Sequence, residues 1–135
     1  MRFVSQKITI INVRKPIEKS LNEQLQWLGT SLGLFNLRDK NKSCFRIFIE
    51  LLKAAKSRRP ISSDELAEKL GLTRGTVIHH MHTLIDSGLI ITEGNRYFLR
   101  VDNLTDLIDE LEKDIKRTLD DLKQVASNID TRLSH

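Results

Sequence analysis

Only three residues, Gly71 to Thr73, separate an amphipathic run that ends at Leu70 from a second that begins at Arg74. Gly71 can adopt the left-handed backbone that closes a helix at little cost, and Thr73 can cap the helix that follows. Ser62 opens the first run, with Glu65 three residues later placed to complete a capping box. Leu66, Ala67 and Leu70 then share one face. In the second run Val77, Met81 and Leu84 recur at helical spacing with Ile85 beside them, so one face anchors to a core and the opposite face is left for a partner. Gly88 stops this helix. Leu89-Ile90-Ile91-Thr92 and Tyr97-Phe98-Leu99 then flank a turn at Gly94-Asn95, two residues that tolerate positive φ, so a β-hairpin follows.

Helix, tight turn, helix and hairpin, in that order, is the local grammar of a winged helix-turn-helix. The pattern Leu72-Thr73-x-Gly75-Thr76-Val77-x-x-His80-Met81-x-x-Leu84-x-x-x-Gly88-Leu89-Ile90 resembles the ArsR-like and related winged-helix transcriptional regulators of archaea and bacteria. The resemblance covers residues 40–101, because Cys44-Phe45-Arg46-Ile47-Phe48-Ile49-Glu50-Leu51-Leu52 looks like the first helix of that domain. It implies a dimeric DNA-binding repressor or activator, with the second helix in the groove and the hairpin loop, the wing, on the backbone. The wing here is only a tight turn between Glu93 and Arg96, shorter and less basic than in many relatives, so its contacts should be few.

Helix-turn-helix proteins place the N-terminal part of the second helix in the major groove. On a helical projection Thr76, His79 and Thr83 lie away from Val77, Met81 and Leu84, with His80 at the boundary between faces. Arg74 can make a bidentate contact with guanine, and the threonine and histidine side chains can donate or accept hydrogen bonds. Arg74, Thr76, His79, His80 and Thr83 are therefore the candidate base readers, and Lys40, Lys42, Arg58, Arg59, Thr73 and Arg96 the candidate backbone contacts.

Charge is unevenly distributed. Of a net +4, residues 1–59 hold 13 Lys/Arg against 4 Asp/Glu, residues 60–101 hold 4 against 5, and residues 102–135 hold 5 against 9. Arg38, Lys40, Lys42, Arg46, Lys53, Lys56, Arg58 and Arg59 surround the first domain helix and the loop after it, a distribution that suits steering toward phosphate. Taken singly, each is also an ordinary surface residue.

At the C-terminus Leu104, Ile108, Leu111, Ile115, Thr118, Leu122, Val125 and Ile129 follow an unbroken four-three spacing in which only Thr118 is polar. Such a stripe predicts a coiled-coil seam. A continuous helix over residues 104–133 would extend roughly 45 Å, more than a small domain needs for its own core. Self-association through Leu104, Ile108, Leu111, Ile115, Leu122, Val125 and Ile129 is expected; folding back on the N-terminal helix is the alternative. Asp102 or Asn103 can cap this helix.

Residues 3–13 are rich in β-branched side chains and could form a strand. Pro16 suits a first helical position, and Ile17, Leu21, Leu25, Leu28, Leu32 and Phe35 then repeat at helical spacing, with an end or bend expected near Gly29. This stripe reads as core or dimer surface, although an aromatic-lined cavity beside Trp27 is left open.

The expected architecture is thus mainly α with a small β-hairpin: an N-terminal strand and amphipathic-helix extension (1–37), a winged helix-turn-helix domain (38–101) and a long C-terminal coiled-coil dimerisation helix (102–135). A hydrophobic content of 39% is enough for a packed core. The single cysteine, Cys44, precludes an internal disulfide and reads as a small buried side chain. No secretory signal or membrane-spanning run is evident, so a cytoplasmic location is expected.

No glycine-rich phosphate loop, nucleophile–base constellation or convergent carboxylate pair marks an enzyme, and no cofactor is expected. His79, His80 and His82 cluster, but they point in different directions along one helix, and the chain lacks the paired cysteines or the His/Asp sets on the C-terminal helix that the resemblance would imply for a metal sensor. Neither a metal site nor a small-molecule effector is expected, although the sequence leaves an effector open. The partners expected are double-stranded DNA and a second copy of the chain. The reading is a regulator that binds an inverted repeat as a homodimer, with residues 73–87 in the major groove. Its competitor is a winged helix that joins subunits of a larger assembly, favoured by the short wing and the acidic Asp64-Glu65-Glu68 helix.

Overall fold

The computed structural model describes residues 5–15, 17 and 20–134. Among them the chain forms α1 (Leu21–Ser31), α2 (Ser43–Lys56), β1 (Ile61–Ser62), α3 (Ser63–Leu70), α4 (Arg74–Asp86), β2 (Ile90–Glu93), β3 (Arg96–Leu99) and α5 (Leu104–Leu133).

Local cap chemistry sets most of these boundaries. Ser62 accepts from the Glu65 amide at 3.1 Å, Thr73 from the Thr76 amide at 3.1 Å and Asn103 from the Asp106 amide at 2.8 Å. Gly71 closes α3 in the left-handed region at φ 66. The capping box is only half formed, because the Glu65 carboxylate takes a 3.4 Å bond from the Ser62 hydroxyl and also reaches Arg59 and Arg96. The N-terminus of α2 is held from a distance: Asp39 accepts from the amides of Ser43 and Cys44, each at 2.9 Å.

Phe48, Ile47 and Leu51 of α2 pack with Leu66 of α3, Val77, Met81 and Leu84 of α4, and Leu89, Ile90 and Leu99 around the sheet, all 5% exposed or less. Strands β2 and β3 form the expected antiparallel hairpin, whose Glu93–Arg96 pairing leaves Gly94 and Asn95 as its loop. Of these two only Gly94 has positive φ. A third strand was not expected: β1 pairs with β3 through Ile61–Tyr97 and Ser62–Arg96, giving the order β1-β3-β2.

The N-terminal expectations need correction. No strand forms over residues 5–13, and residues 3 and 4 lie outside the described residues. The segment is instead an extended strap: Lys7 N donates to Asp86 O at 2.9 Å, Ile11 N donates to Ser31 O at 2.8 Å, and the Trp27 indole donates to Val13 O at 3.1 Å. Helix α1 begins at Leu21, capped by Ser20, rather than soon after Pro16, which is also outside the described residues; Ile17 is 88% exposed. The helix runs through Gly29 and ends at Ser31.

Gly29 is there for clearance. A Cβ added at this position would lie 2.6 Å from the Phe45 ring and 2.9 Å from Phe35, whose rings pack with centroids 4.7 Å apart. Despite alanine's better helix propensity, Gly29→Ala is expected to destabilise the fold by about 1–3 kcal/mol, read as a lower urea midpoint with unchanged m-value.

Helix α5 splits the predicted seam in two. Near its start Leu107 (0% exposed) and Leu111 (2%) enter the chain's own core, with Leu104 half-buried against it. Leu111 is therefore an intramolecular core residue, and Leu107, off the four-three pattern, takes the place beside it. Ile115 is half-buried, and every residue from Lys116 to Ser134 is exposed. The remaining helix of 18 residues projects for roughly 27 Å at 1.5 Å per residue. Its apolar face is broader than the predicted stripe: Leu122, Val125 and Ile129 are joined by Leu119 and Leu133, all at least 48% exposed, while Ile108 (40%) lies on the anchored half.

Candidate nucleic-acid interface

The α3–turn–α4 unit fixes which side of α4 faces outward. Because Val77, Met81 and Leu84 are fully buried, the opposite ridge of Gly75, His79, His82 and Asp86 faces solvent, flanked by exposed Thr83. The Arg74 side chain is 72% exposed. His82 belongs to this ridge and was not among the candidate readers; its i+3 spacing from His79 was the available signal.

The five candidate readers are not equivalent. Arg74, His79 and Thr83 present side chains to solvent. Thr76 is half-buried, and its hydroxyl accepts a 2.9 Å bond from the Thr73 hydroxyl, so both belong to the cap. His80 turns inward: its side chain is 13% exposed and its Nε2 lies 3.7 Å from an Asp39 carboxylate oxygen. Burial pulls the His80 pKa below its ordinary value, against the opposing pull of Asp39. Burial thus works against the protonated ring and favours its use as a hydrogen-bonding group. Burial raises the Asp39 pKa, but the Cys44 and Ser43 amides and the His80 charge together hold it below normal. Burial, with the Asp39 charge, pushes the Cys44 thiol up to about 11, which suits a packed side chain rather than a nucleophile.

A cleft of about 730 Å³ runs between α4 and the loop before α2. Arg38 and Lys40 line it on the loop side, and Thr76, His79 and Thr83 on the helix side, so the fold brings a basic loop alongside the outward face of α4. Lys42, left-handed at φ 55, places its ammonium 5.7 Å from the Phe35 ring centroid.

A second group of cations gathers at the start of α3. Asp64 lies 3.6 Å from Arg74, while neighbouring Glu65 lies 3.1 Å from Arg59 and 3.4 Å from Arg96. Arg74, Arg59 and Arg96, far apart in sequence, are thereby collected in one neighbourhood. These arginines remain 50–72% exposed, and exposed pairs contribute only about 0–1 kcal/mol, so phosphate can displace the carboxylates. Arg58, exposed and left-handed at φ 50, lines together with Arg59 a groove between the end of α2 and β3.

Two members of the predicted basic set serve the fold instead. Arg46 donates to the Leu70 carbonyl at 2.8 Å, and Lys53 pairs with Glu50 at 3.4 Å. Glu50, only 8% exposed, also holds Lys69 at 2.8 Å and so ties α2 to α3.

The buried anchors, capped turn and paired strands define a winged helix-turn-helix protein. A family model described as an HTH domain matches residues 48–98, which places a helix-turn-helix domain there and supports a DNA-binding role. That match does not distinguish an ArsR-like subfamily. No match was found among curated proteins or among solved structures. Among the described residues no group of three or more His, Cys, Asp or Glu side chains could hold a metal ion, and no helix is long and apolar enough to cross a membrane.

Proposed function

We propose that this protein is a sequence-specific, DNA-binding transcriptional regulator of the ArsR-like kind, acting as a homodimer on an inverted-repeat site with residues 73–87 in the major groove. The observation that carries the proposal is the outward face of α4, whose His79, His82 and Thr83 stand opposite three fully buried anchors, with exposed Arg74 at the first position of the helix. Such a face can present hydrogen-bonding groups to base edges without disturbing the core. Arg58, Arg59 and Arg96, with Lys40 and Lys42, supply phosphate contacts, which carry most of the affinity while base contacts carry the selectivity. The exposed apolar face of α5 supports the homodimer, and a two-fold arrangement would set two copies of α4 about 34 Å apart in successive major grooves.

Arg74→Ala is expected to narrow the affinity gap between a preferred site and unrelated DNA by roughly tenfold, since one base-reading arginine is worth about 1–3 kcal/mol of discrimination. Arg58→Ala and Arg59→Ala should instead weaken binding to every duplex and flatten the salt slope by about one unit for each phosphate no longer neutralised. Titrations at several salt concentrations separate the two effects. Equal weakening on all sequences from Arg74→Ala would reject a base-reading role for it.

A further inference from the structure

Five of the six glycines are explained by the fold. Gly33, Gly71, Gly88 and Gly94 hold φ values between 63 and 84, and a side chain at Gly29 would strike Phe45. Gly75 is the exception. It sits at the second position of α4 with helical backbone, and a Cβ built there meets nothing within 4 Å. Glycine stabilises a helix less than any residue except proline. At this position the fold thus accepts a weaker helix with no packing or backbone geometry in return.

Gly75 also begins the outward ridge that continues through His79, His82 and Asp86, beside exposed Arg74. A missing side chain here removes bulk only from a surface outside the chain. We infer that Gly75 is a clearance residue through which the α4 backbone closely approaches duplex DNA, setting the depth at which Arg74 and His79 enter the groove. This inference rests on the DNA-binding reading above and assigns that interface a contact made by the absence of a side chain. A Cβ at position 75 would hold the helix outward, shortening the reach of both neighbouring readers together.

The test uses the full chain and a duplex selected by the wild-type protein from random sequence. Gly75→Ala should raise the melting temperature by a few degrees, since alanine favours the helix and has open space. The same variant should bind the selected duplex about tenfold or more weakly, and Gly75→Leu, also a good helix former, more weakly still. A stabilised variant that binds worse is an outcome that a purely structural glycine would not give. Gly75→Ala binding at wild-type strength would overturn the inference alone, as would a lowered melting temperature. Wild-type protein that binds no duplex would remove the DNA-binding reading and this inference with it.

Discussion

Replacing Leu122 with aspartate is expected to give a folded chain of half the wild-type solution mass, with affinity for a two-fold DNA site reduced by about a hundredfold or more. Leu122 is 59% exposed, on the part of α5 from Lys116 onward whose residues are all exposed, so a charge there should not disturb the core. Around it Leu119, Val125, Ile129 and Leu133 are 48–80% exposed along one helix face. An isolated helix of this length is marginal in water, and the i,i+4 pair Lys116–Asp120 adds only a few tenths of a kcal/mol. In the proposed homodimer a partner helix would supply the missing burial, and aspartate on the seam would remove it. The weaker DNA binding follows from linkage: binding of the second half-site becomes bimolecular, and an effective-concentration advantage of about 10²–10⁴ disappears. Mass measurement and titration read the two effects separately. An unchanged mass would rule out dimerisation through this seam. Leu111→Asp, by contrast, should unfold the chain, because Leu111 is 2% exposed in its own core.

The second large effect is expected at Asp114. Its side chain is 1% exposed and pairs with Arg100, itself 5% exposed, with one of the two bonds at 3.2 Å. The same carboxylate accepts from Gln6 at 2.8 Å and bonds to Arg117, while Gln6 reaches the Ser87 carbonyl at 3.1 Å. One buried charge therefore joins the N-terminal strap, the end of α4, the residue after β3 and α5. Asp114→Ala would leave the Arg100 guanidinium buried without its main counter-charge, at a cost of about 3–5 kcal/mol. Replacing both residues with apolar ones of similar volume should recover much of that stability, since the pair's net value is far below the cost of breaking it. The pH dependence has a definite sign. Burial raises the Asp114 pKa, but the Arg100 hydrogen bond, Gln6 and the charges of Arg100 and Arg117 outweigh it and hold it below the ordinary carboxylate value. Its contribution is thus fully present above that value and is lost as pH falls through the lowered one. Denaturant unfolding of Asp114→Ala should show a shallower decline of stability on acidification than wild type.

Features set by nearest neighbours were readable from the sequence. The Gly71–Thr73 turn, the Ser62 and Thr73 caps, the choice of Asp102 or Asn103 as the cap of α5, the Gly94–Asn95 hairpin and the buried faces of α3 and α4 all follow from residues within one or two helical turns. What was not readable depends on distant partners. Strand β1 is two residues long and exists through pairing with Tyr97 and Arg96. The N-terminal strap has strand-like composition but lies across helix ends, bonding to Ser31 and Asp86. On α5, Asp114 looks like one more solvated acid because Arg100 lies outside that helix, and the four-three stripe concealed that Leu107 faces the core. At the interface the projection separated the α4 faces, but only the folded loop shows Lys40 beside Thr76 and His79, or His80 turned toward Asp39.

The proposed function stands on two copies of α4 that read base sequence across a two-fold axis. Selection of purified full-length protein on randomised duplex DNA at two salt concentrations, followed by sequencing, tests it most directly. The expected result is an enriched inverted repeat with half-sites about one helical turn apart, whose enrichment persists at the higher salt. Salt-sensitive binding with no enriched motif, or no binding at either salt, would contradict two-fold base reading.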